Sequence, residues 1–313
     1  MPVTVTRERI AETETLIRPH IRRTPVIEVA GEDFGLAGAA LVFKLELLQH
    51  AGAFKARGAF ANLLLREIPH AGVAAASGGN HGAAVAYAAM KLGHRATIFV
   101  PEICSPPKIA RIRSYGADLV VSGARYADAL AACEAHVAET GALNVHAYDA
   151  TETILGAGSL AKELAEQAGS LDLILAPVGG GGLIAGLAGW HRGATRLVGV
   201  EPEAAPCLHR ALAAGAPVDA PVGGIAADSL GAKRIGTLPF RLAQAHVAAS
   251  VLVSDAAIAG AQRMLWERLQ TAAEPGGATA FAALLAGAVG YEPGDRIGVV
   301  ISGGNTVAVD FDR

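Results

Sequence analysis

The sequence predicts an α/β protein with a largely parallel sheet, and three observations carry that expectation. Short apolar runs recur along the 313 residues with alanine-rich helical stretches between them. Three of these runs end in glycine clusters, Ser77-Gly78-Gly79-Asn80, Gly179 to Gly182 and Ser302-Gly303-Gly304-Asn305. No internal repeat or low-complexity linker interrupts the alternation. In parallel sheets ligands sit beyond the carboxyl ends of the strands, so all three clusters are expected around one crevice.

From the N-terminus, Thr4 to Arg23 carries charges throughout and lacks an apolar stretch, which predicts a surface helix and not a signal peptide. Strands are expected at 41–45, 72–75, 96–100, 118–121, 171–176, 196–200 and 296–301, each a short apolar run. Residues 173–190 hold no charged residue and approach membrane-spanning length, but Pro177 and the glycine run split them into strand, loop and helix.

Composition restricts the partners. The chain is 52% hydrophobic and 18% charged, enough to bury a large core and too apolar for a disordered protein. A net charge of -3 provides no basic field for a nucleic-acid backbone, so a small molecule is the expected partner, with no nucleic acid and no membrane. Cys104, Cys133 and Cys207 are odd in number and far apart, which suits core residues in a reducing, cytoplasmic compartment. The ten histidines show no metal-ligand spacing, and no metal is expected.

The run Pro177-Val178-Gly179-Gly180-Gly181-Gly182-Leu183 reads as a phosphate cradle. Backbone without side chains wraps an anion closely, and the free N–H groups and dipole of a following helix point at it. A nucleoside triphosphate loop needs lysine and serine or threonine after the last glycine, where this chain has Leu183 and Ile184. A dinucleotide site remains open, because Gly180-x-Gly182-x-x-Ala185 follows a strand and Glu201 ends the next one. Against it, that fingerprint usually opens a domain and leaves the other glycine clusters unexplained.

Lys55, in Gly52-Ala53-Phe54-Lys55-Ala56-Arg57-Gly58, tips the balance. A Schiff-base lysine must spend time uncharged, and a helix N-terminus, the neighbouring Arg57 and apolar cover from Phe54 would all lower its pKa. A surface lysine beside a core phenylalanine is the bland alternative.

Together these motifs resemble the fold-type II pyridoxal-phosphate enzymes, in particular the serine/threonine dehydratase and serine racemase family. The resemblance runs through Phe43-Lys44-Leu45-Glu46, Ala53 to Ala59, Ser77 to Gly82, the tetraglycine loop, Val200-Glu201-Pro202 and Ser302 to Asn305. It implies a tryptophan synthase β-like fold: two open, twisted, largely parallel α/β lobes with the cofactor, pyridoxal 5'-phosphate, between them. Residues 1–70 and 149–313 would form the large lobe and 71–148 the small lobe that closes on substrate.

By the same resemblance Lys55 holds the cofactor as a Schiff base and is the catalytic base, Phe54 covers a ring face, and Asn80 meets the ring hydroxyl. Gly179, Gly180, Gly181, Gly182 and Leu183 take the phosphate, and Ser302 meets the pyridine nitrogen. Ser77, Gly78, Gly79, Asn80 and His81 would grip the substrate carboxylate, with the His81 ring positioning the loop. A serine at the pyridine nitrogen does not force its protonation, which favours prompt loss of a β-leaving group. The cofactor phosphate would donate the proton to the departing hydroxyl.

Departures from the family pattern narrow the expectation. Ala56 replaces the aspartate of the β-substituting synthases, and Gly78 replaces the second serine that racemases use on the opposite face. Ala53 stands for a serine, Ser229 for a glycine near the cofactor, and Cys207 for an acidic metal ligand. Glu201 is left either as a weak cation ligand or as a carboxylate capping a surface turn.

The expected activity is a threonine/serine ammonia-lyase acting as a homodimer. Serine racemase or a dehydratase of another β-hydroxy amino acid is the near alternative, an NAD-dependent oxidoreductase the distant one, and a binder of amino acids the non-enzymatic one. The chain ends at Arg313, which implies no appended regulatory domain.

Overall fold

The computed structural model describes residues 5–306, and these form ten strands in two sheets. The strands are β1 (Val26–Ala30), β2 (Ala40–Leu45), β3 (Val73–Ala76), β4 (Ala96–Val100), β5 (Asp118–Val121), β6 (Leu143–Asn144), β7 (Leu173–Pro177), β8 (Arg196–Pro202), β9 (Ala249–Val253) and β10 (Arg296–Ile301). Helices in the first half are α1 (Arg7–Ile17), α2 (Lys55–Leu65), α3 (Asn80–Leu92), α4 (Pro106–Ser114), α5 (Tyr126–Thr140) and α6 (Thr151–Ala168). The second half adds α7 (Gly182–His191), α8 (Cys207–Ala214), α9 (Ala227–Leu230), α10 (Thr237–His246), α11 (Asp255–Leu269) and α12 (Pro275–Leu285).

The larger sheet runs β1-β2-β10-β7-β8-β9, with β1 antiparallel to β2 and every other neighbour pair parallel. The smaller sheet, β5-β4-β3-β6, is parallel throughout and is built within residues 73–144. In the larger sheet, alternate residues of one strand serve opposite faces. Leu41, Phe43, Leu173, Leu175 and Val299 pack into one apolar cluster with Phe281 of α12, whereas Val42, Ile174, Ala176 and Val300 pack into another with Leu183 and Leu187 of α7. Strands covered on both sides are apolar at nearly every position, with Lys44 of β2 and Glu201 of β8 buried among hydrogen-bond partners, which is why these runs are legible as apolar segments.

The seven expected strands are all present, with shifts at their ends. β3 begins one residue later than expected, β7 spans 173–177 and not 171–176, and β8 continues two residues to Pro202. Three strands escaped the pattern for a common reason. β1 and β9 are the two edges of the larger sheet, and β6 is a two-residue edge of the smaller one. An edge strand has fewer covered positions: in β9 only Val253 is fully buried, and β1 alternates around the exposed Glu28.

The N-terminal helix also differs from expectation. Thr4 lies outside the described residues, and the helix proper is α1, capped by Thr6, whose hydroxyl accepts from Arg9 N at 3.3 Å. It is no mere surface helix, because Ile10, Thr13, Glu14 and Ile17 are buried. Pro19 follows in a short 3-10 turn at Arg18–His20, which ends the α-helix well before Arg23.

Candidate active site

β7, β10 and β3 end at the three glycine clusters, and the structure brings their ends together. One open cleft, about 410 Å³ including the solvent at its opening, is lined by Phe54, Lys55, Asn80, Gly179 to Leu183 and Ser302. Pro177, Ser229, Leu230 and Glu274 complete its wall.

The tetraglycine loop forms the floor. A side chain at Gly180 would start 2.2 Å from the Tyr148 ring, and Gly181 has φ of 95°, a left-handed backbone that favours glycine. The loop is thus bare by steric necessity. It delivers the chain into α7, a ten-residue helix whose N-terminus no side chain caps, so the first N–H groups are available to an anion.

Lys55 is the first residue of α2. The turn before it is fixed from the Ser302 side: Phe54 N donates to Ser302 O at 3.1 Å, and Ala53 pairs with Gly303 in an isolated antiparallel bridge. Lys55 Nζ donates to Ala147 O at 2.8 Å and lies 5.1 Å from the centre of the Phe54 ring. Burial lowers its pKa to about 8, against an upward pull from the Glu274 carboxylate. The expectation that Arg57 also lowers it is not met. Arg57 is fully buried on another side of α2, where Glu46 and Glu163 absorb its charge.

The Ser77 to His81 loop divides. Asn80 lines the main cavity, while Gly78, Gly79 and Asn80 line a second, smaller one with Lys108, Arg111 and Asn305. Ser77 Oγ accepts from Gly79 N at 3.2 Å and braces the loop. The His81 ring is buried, and its Nε2–H donates to Val145 O at 2.7 Å. Burial together with the charge of Lys55 lowers the His81 pKa to about 3, so the imidazole is neutral and anchors α3 against the small sheet.

Three wall residues, Ser229, Leu230 and Glu274, have no role assigned from the sequence. Ser229 was noted only as a departure from a pattern, and Glu274 was missed. Glu274 precedes Pro275 at the start of α12, and its Oε1 accepts from Asn80 Nδ2 at 2.5 Å. Burial raises its carboxyl to about 7, so near neutrality it holds its proton part of the time. The signal available was the run Glu274-Pro275-Gly276-Gly277, an acid directly before a helix start whose glycines pack against Ser229 and against Gly303 of the Ser302 loop.

Glu201 caps no surface turn. It is fully buried in β8 and accepts from Leu208 N and His209 N, both at 2.7 Å, and from Ser250 Oγ at 2.6 Å. It therefore caps α8 and is spent on the fold, far from the role of a ribose ligand. Cys207 and Cys133 are buried as expected. Cys104 is not a core residue; it is partly exposed, and its thiol packs over Gly78. Among the described residues no group of three or more His, Cys, Asp or Glu is placed to hold a metal, and no helix is long and apolar enough to cross a membrane.

A bare glycine loop at an uncapped helix N-terminus, sharing a cavity with a lysine of lowered pKa, defines a class of site, one able to hold an anionic ligand beside an amine. Comparison with known proteins gives the family. The model described as "Pyridoxal-phosphate dependent enzyme" matches residues 17–303, and this chain belongs to that family. It is 40% identical to the phenylserine dehydratase of Ralstonia pickettii over 312 residues, 97% of this chain and 94% of that one. It is 38% identical to the L-threonine ammonia-lyase of Geobacter sulfurreducens over 97% of this chain and 77% of that one. The structure of maize serine racemase superposes with a TM-score of 0.91 at 33% identity, covering 97% of this chain and 94% of that one. The fold is that of the fold-type II members, and the cofactor is pyridoxal phosphate. The cavity fits it: a cradle that any side chain would fill, an amine near neutrality and a serine hydroxyl converge there.

Proposed function

We propose that this protein is a dehydratase of β-hydroxy amino acids that converts L-threonine and/or L-serine to a 2-oxo acid and ammonia by α,β-elimination. The observation that supports it most is the meeting of Lys55, the tetraglycine loop and Ser302 in one cavity of a chain belonging to this family. When bound, pyridoxal phosphate delocalises the electron pair left on the substrate α-carbon.

The chain's own residues do the rest. Backbone N–H groups of Gly179 to Leu183 would hold the phosphate at the α7 N-terminus, Phe54 would cover the ring, Asn80 would meet its oxygen and Ser302 its nitrogen. Lys55 would hold the cofactor, and the same amine, when free, would take the substrate α-proton; its pKa of about 8 leaves a useful share of free amine near neutrality. The Ser77 to His81 loop takes the substrate carboxylate. Residues 71–148 act as the small lobe that closes over it and excludes water, against the large lobe of 1–70 and 149–313.

Elimination is favoured over racemisation by Gly78. A Cβ there would lie 2.6 Å from Cys104 Sγ, so the thiol occupies the room a second serine would need. The similarity to a phenylserine dehydratase supports a second reading, the same elimination on an aryl-bearing substrate. The free cysteines suit a cytoplasmic enzyme, and the proposed assembly is a homodimer.

Holoenzyme assayed for keto-acid release from L-threonine, L-serine, 3-hydroxyaspartate and phenylserine tests these readings directly. Turnover of threonine or serine above the others supports the first, and dominance of phenylserine replaces it with the second. D-serine formed in excess of pyruvate from L-serine would overturn dehydration. Absence of a borohydride-sensitive absorption band in cofactor-treated protein would sink both.

A further inference from the structure

Four side chains from separate segments form a hydrogen-bonded line that runs between the walls of the two cavities. Arg111 of α4 donates to Asn305 Oδ1. Asn305 Nδ2 donates to Ala51 O at 2.8 Å and to Asn80 Oδ1 at 2.6 Å. Asn80 Nδ2 then donates to Glu274 Oε1 at 2.5 Å. Asn80 opens α3, Asn305 follows the Ser302 loop, and Glu274 precedes α12, so the line ties the smaller sheet's helices to the larger sheet's strand ends.

The line has a direction. An amide side chain can be turned either way, and only its neighbours decide which end is nitrogen. A guanidinium has donors and no acceptor, so Arg111 demands the oxygen of Asn305. That turns the Asn305 nitrogen toward Ala51 O and Asn80, which in turn demands the oxygen of Asn80. The Asn80 nitrogen is left facing Glu274, with its second N–H unused by Glu274. Ala51 O and Glu274 Oε1 are acceptors and agree with this sense at both branches. Asn80 and Glu274 line the main cavity, while Asn80, Arg111 and Asn305 line the smaller one.

We propose that Arg111-Asn305-Asn80-Glu274 is a directional relay in which Arg111, outside the main cavity, fixes the Asn80 amide so that it presents an N–H donor to the cofactor ring oxygen. Arg111 and Asn305 are positioning residues, and the inference rests on the functional reading above. A donor at that oxygen stabilises its ionised form; an acceptor would favour the form that keeps its proton. The orientation of one amide thus sets the resting electronic state of the cofactor.

Two substitutions reverse the relay by different routes. Arg111→Glu puts an acceptor where a donor stood, and Asn305→Asp removes the donor that Asn80 Oδ1 requires. Arg111→Lys keeps a donor. Arg113→Glu makes the same charge change on an exposed residue of the same helix that the relay does not include. Absorption spectra of the cofactor-loaded proteins, with kcat and KM on the same samples, give the test. Arg111→Glu and Asn305→Asp are expected to move absorbance from the visible band to the near-ultraviolet band of the protonated ring oxygen. They should also lower kcat about tenfold with little change in KM, the scale of one hydrogen bond. Arg111→Lys and Arg113→Glu should keep the wild-type spectrum. A wild-type band with unshifted Arg111→Glu and Asn305→Asp spectra overturns the relay alone; equal shifts in Arg113→Glu overturn it in favour of long-range charge. A wild-type protein without the band overturns the functional reading and the relay with it.

Discussion

Two buried assemblies of charge stand a few residues apart in this chain and do opposite things. The first joins β2, α2 and α6. Lys44 Nζ donates to Thr24 O at 2.7 Å, Glu163 Oε1 at 2.5 Å and Gln167 Oε1 at 2.7 Å, so all three of its protons are used. Arg57 grips Glu46 through Nε and Nη2 at 2.8 and 2.7 Å and reaches Glu163 at 2.9 Å, every partner fully buried. The second assembly is Lys55 with Glu274. Lys55 donates to one carbonyl, and Glu274 accepts from the Asn80 amide side chain and the Asn305 backbone N–H, both neutral groups. Burial pushes both lysines below the usual range, yet only Lys55 retains protons and a lone pair to exchange. A charge whose valences are saturated holds elements together, and one left unsaturated beside a cavity is available for chemistry.

The comparison breaks most visibly at Lys55. Lys55→Ala should cost at least about 10⁴ in turnover while shifting unfolding free energy by less than about 1 kcal/mol; denaturant unfolding beside a keto-acid assay measures both. An Arg57→Ala variant should show the reverse weighting. It leaves Glu46 and Glu163 buried without their partner and is expected to lose about 3–5 kcal/mol of stability. If Arg57→Ala unfolds at the wild-type denaturant concentration, the assembly is not structural.

Acid sharpens the same contrast. Burial pushes the Glu163 carboxyl up, but Arg57 and Lys44 outweigh it and hold it at about 2, below its ordinary 4.5. A lowered carboxylate stabilises the fold above the unfolded value and loses that contribution as pH falls toward the folded one. Roughly 3 kcal/mol should therefore disappear between pH 4.5 and 2, and Glu163→Gln should lack that component of the acid limb. Glu274 runs the other way. Raised to about 7, its contribution is complete below pH 4.5 and is lost as pH climbs through 7. Glu274→Gln should abolish that loss and, at pH 8.5, recover on the order of 2 kcal/mol relative to wild type. Identical pH dependence of unfolding in the two proteins would show that Glu274 ionises freely. The smallest effect is expected at Gly78→Ser, about 1 kcal/mol of destabilisation as Cys104 gives way, relieved by pairing it with Cys104→Ala.

Legibility followed burial and covalent proximity. The central strands were readable because parallel strands covered on both faces are predominantly apolar, whereas β1, β6 and β9 sit at sheet edges where that requirement lapses. Lys55, Phe54, the four glycines and Ser302 were readable because their motifs are contiguous runs of constrained residue types. Glu274 was not, since one acid before a proline looks like any helix cap until the fold carries it to Asn80, 194 residues away in sequence. Arg57 was misassigned for the matching reason: two positions along a helix from Lys55, it points to another side, where β2 and α6 supply its carboxylates.

By itself, then, the sequence determined the α/β class, the bare glycine loop and the lysine that shares its cavity, because each depends on local backbone freedom or on continuous apolar patterning. Only the tertiary structure decided which charges are spent and which are free. Glu201 was turned into a helix cap, Arg57 into the centre of an ion cluster, Glu274 into the wall of the site and Arg111 into the end of a relay. A charged side chain's role is set by the partners within a few ångströms of it, and those partners come from parts of the chain that only folding brings together.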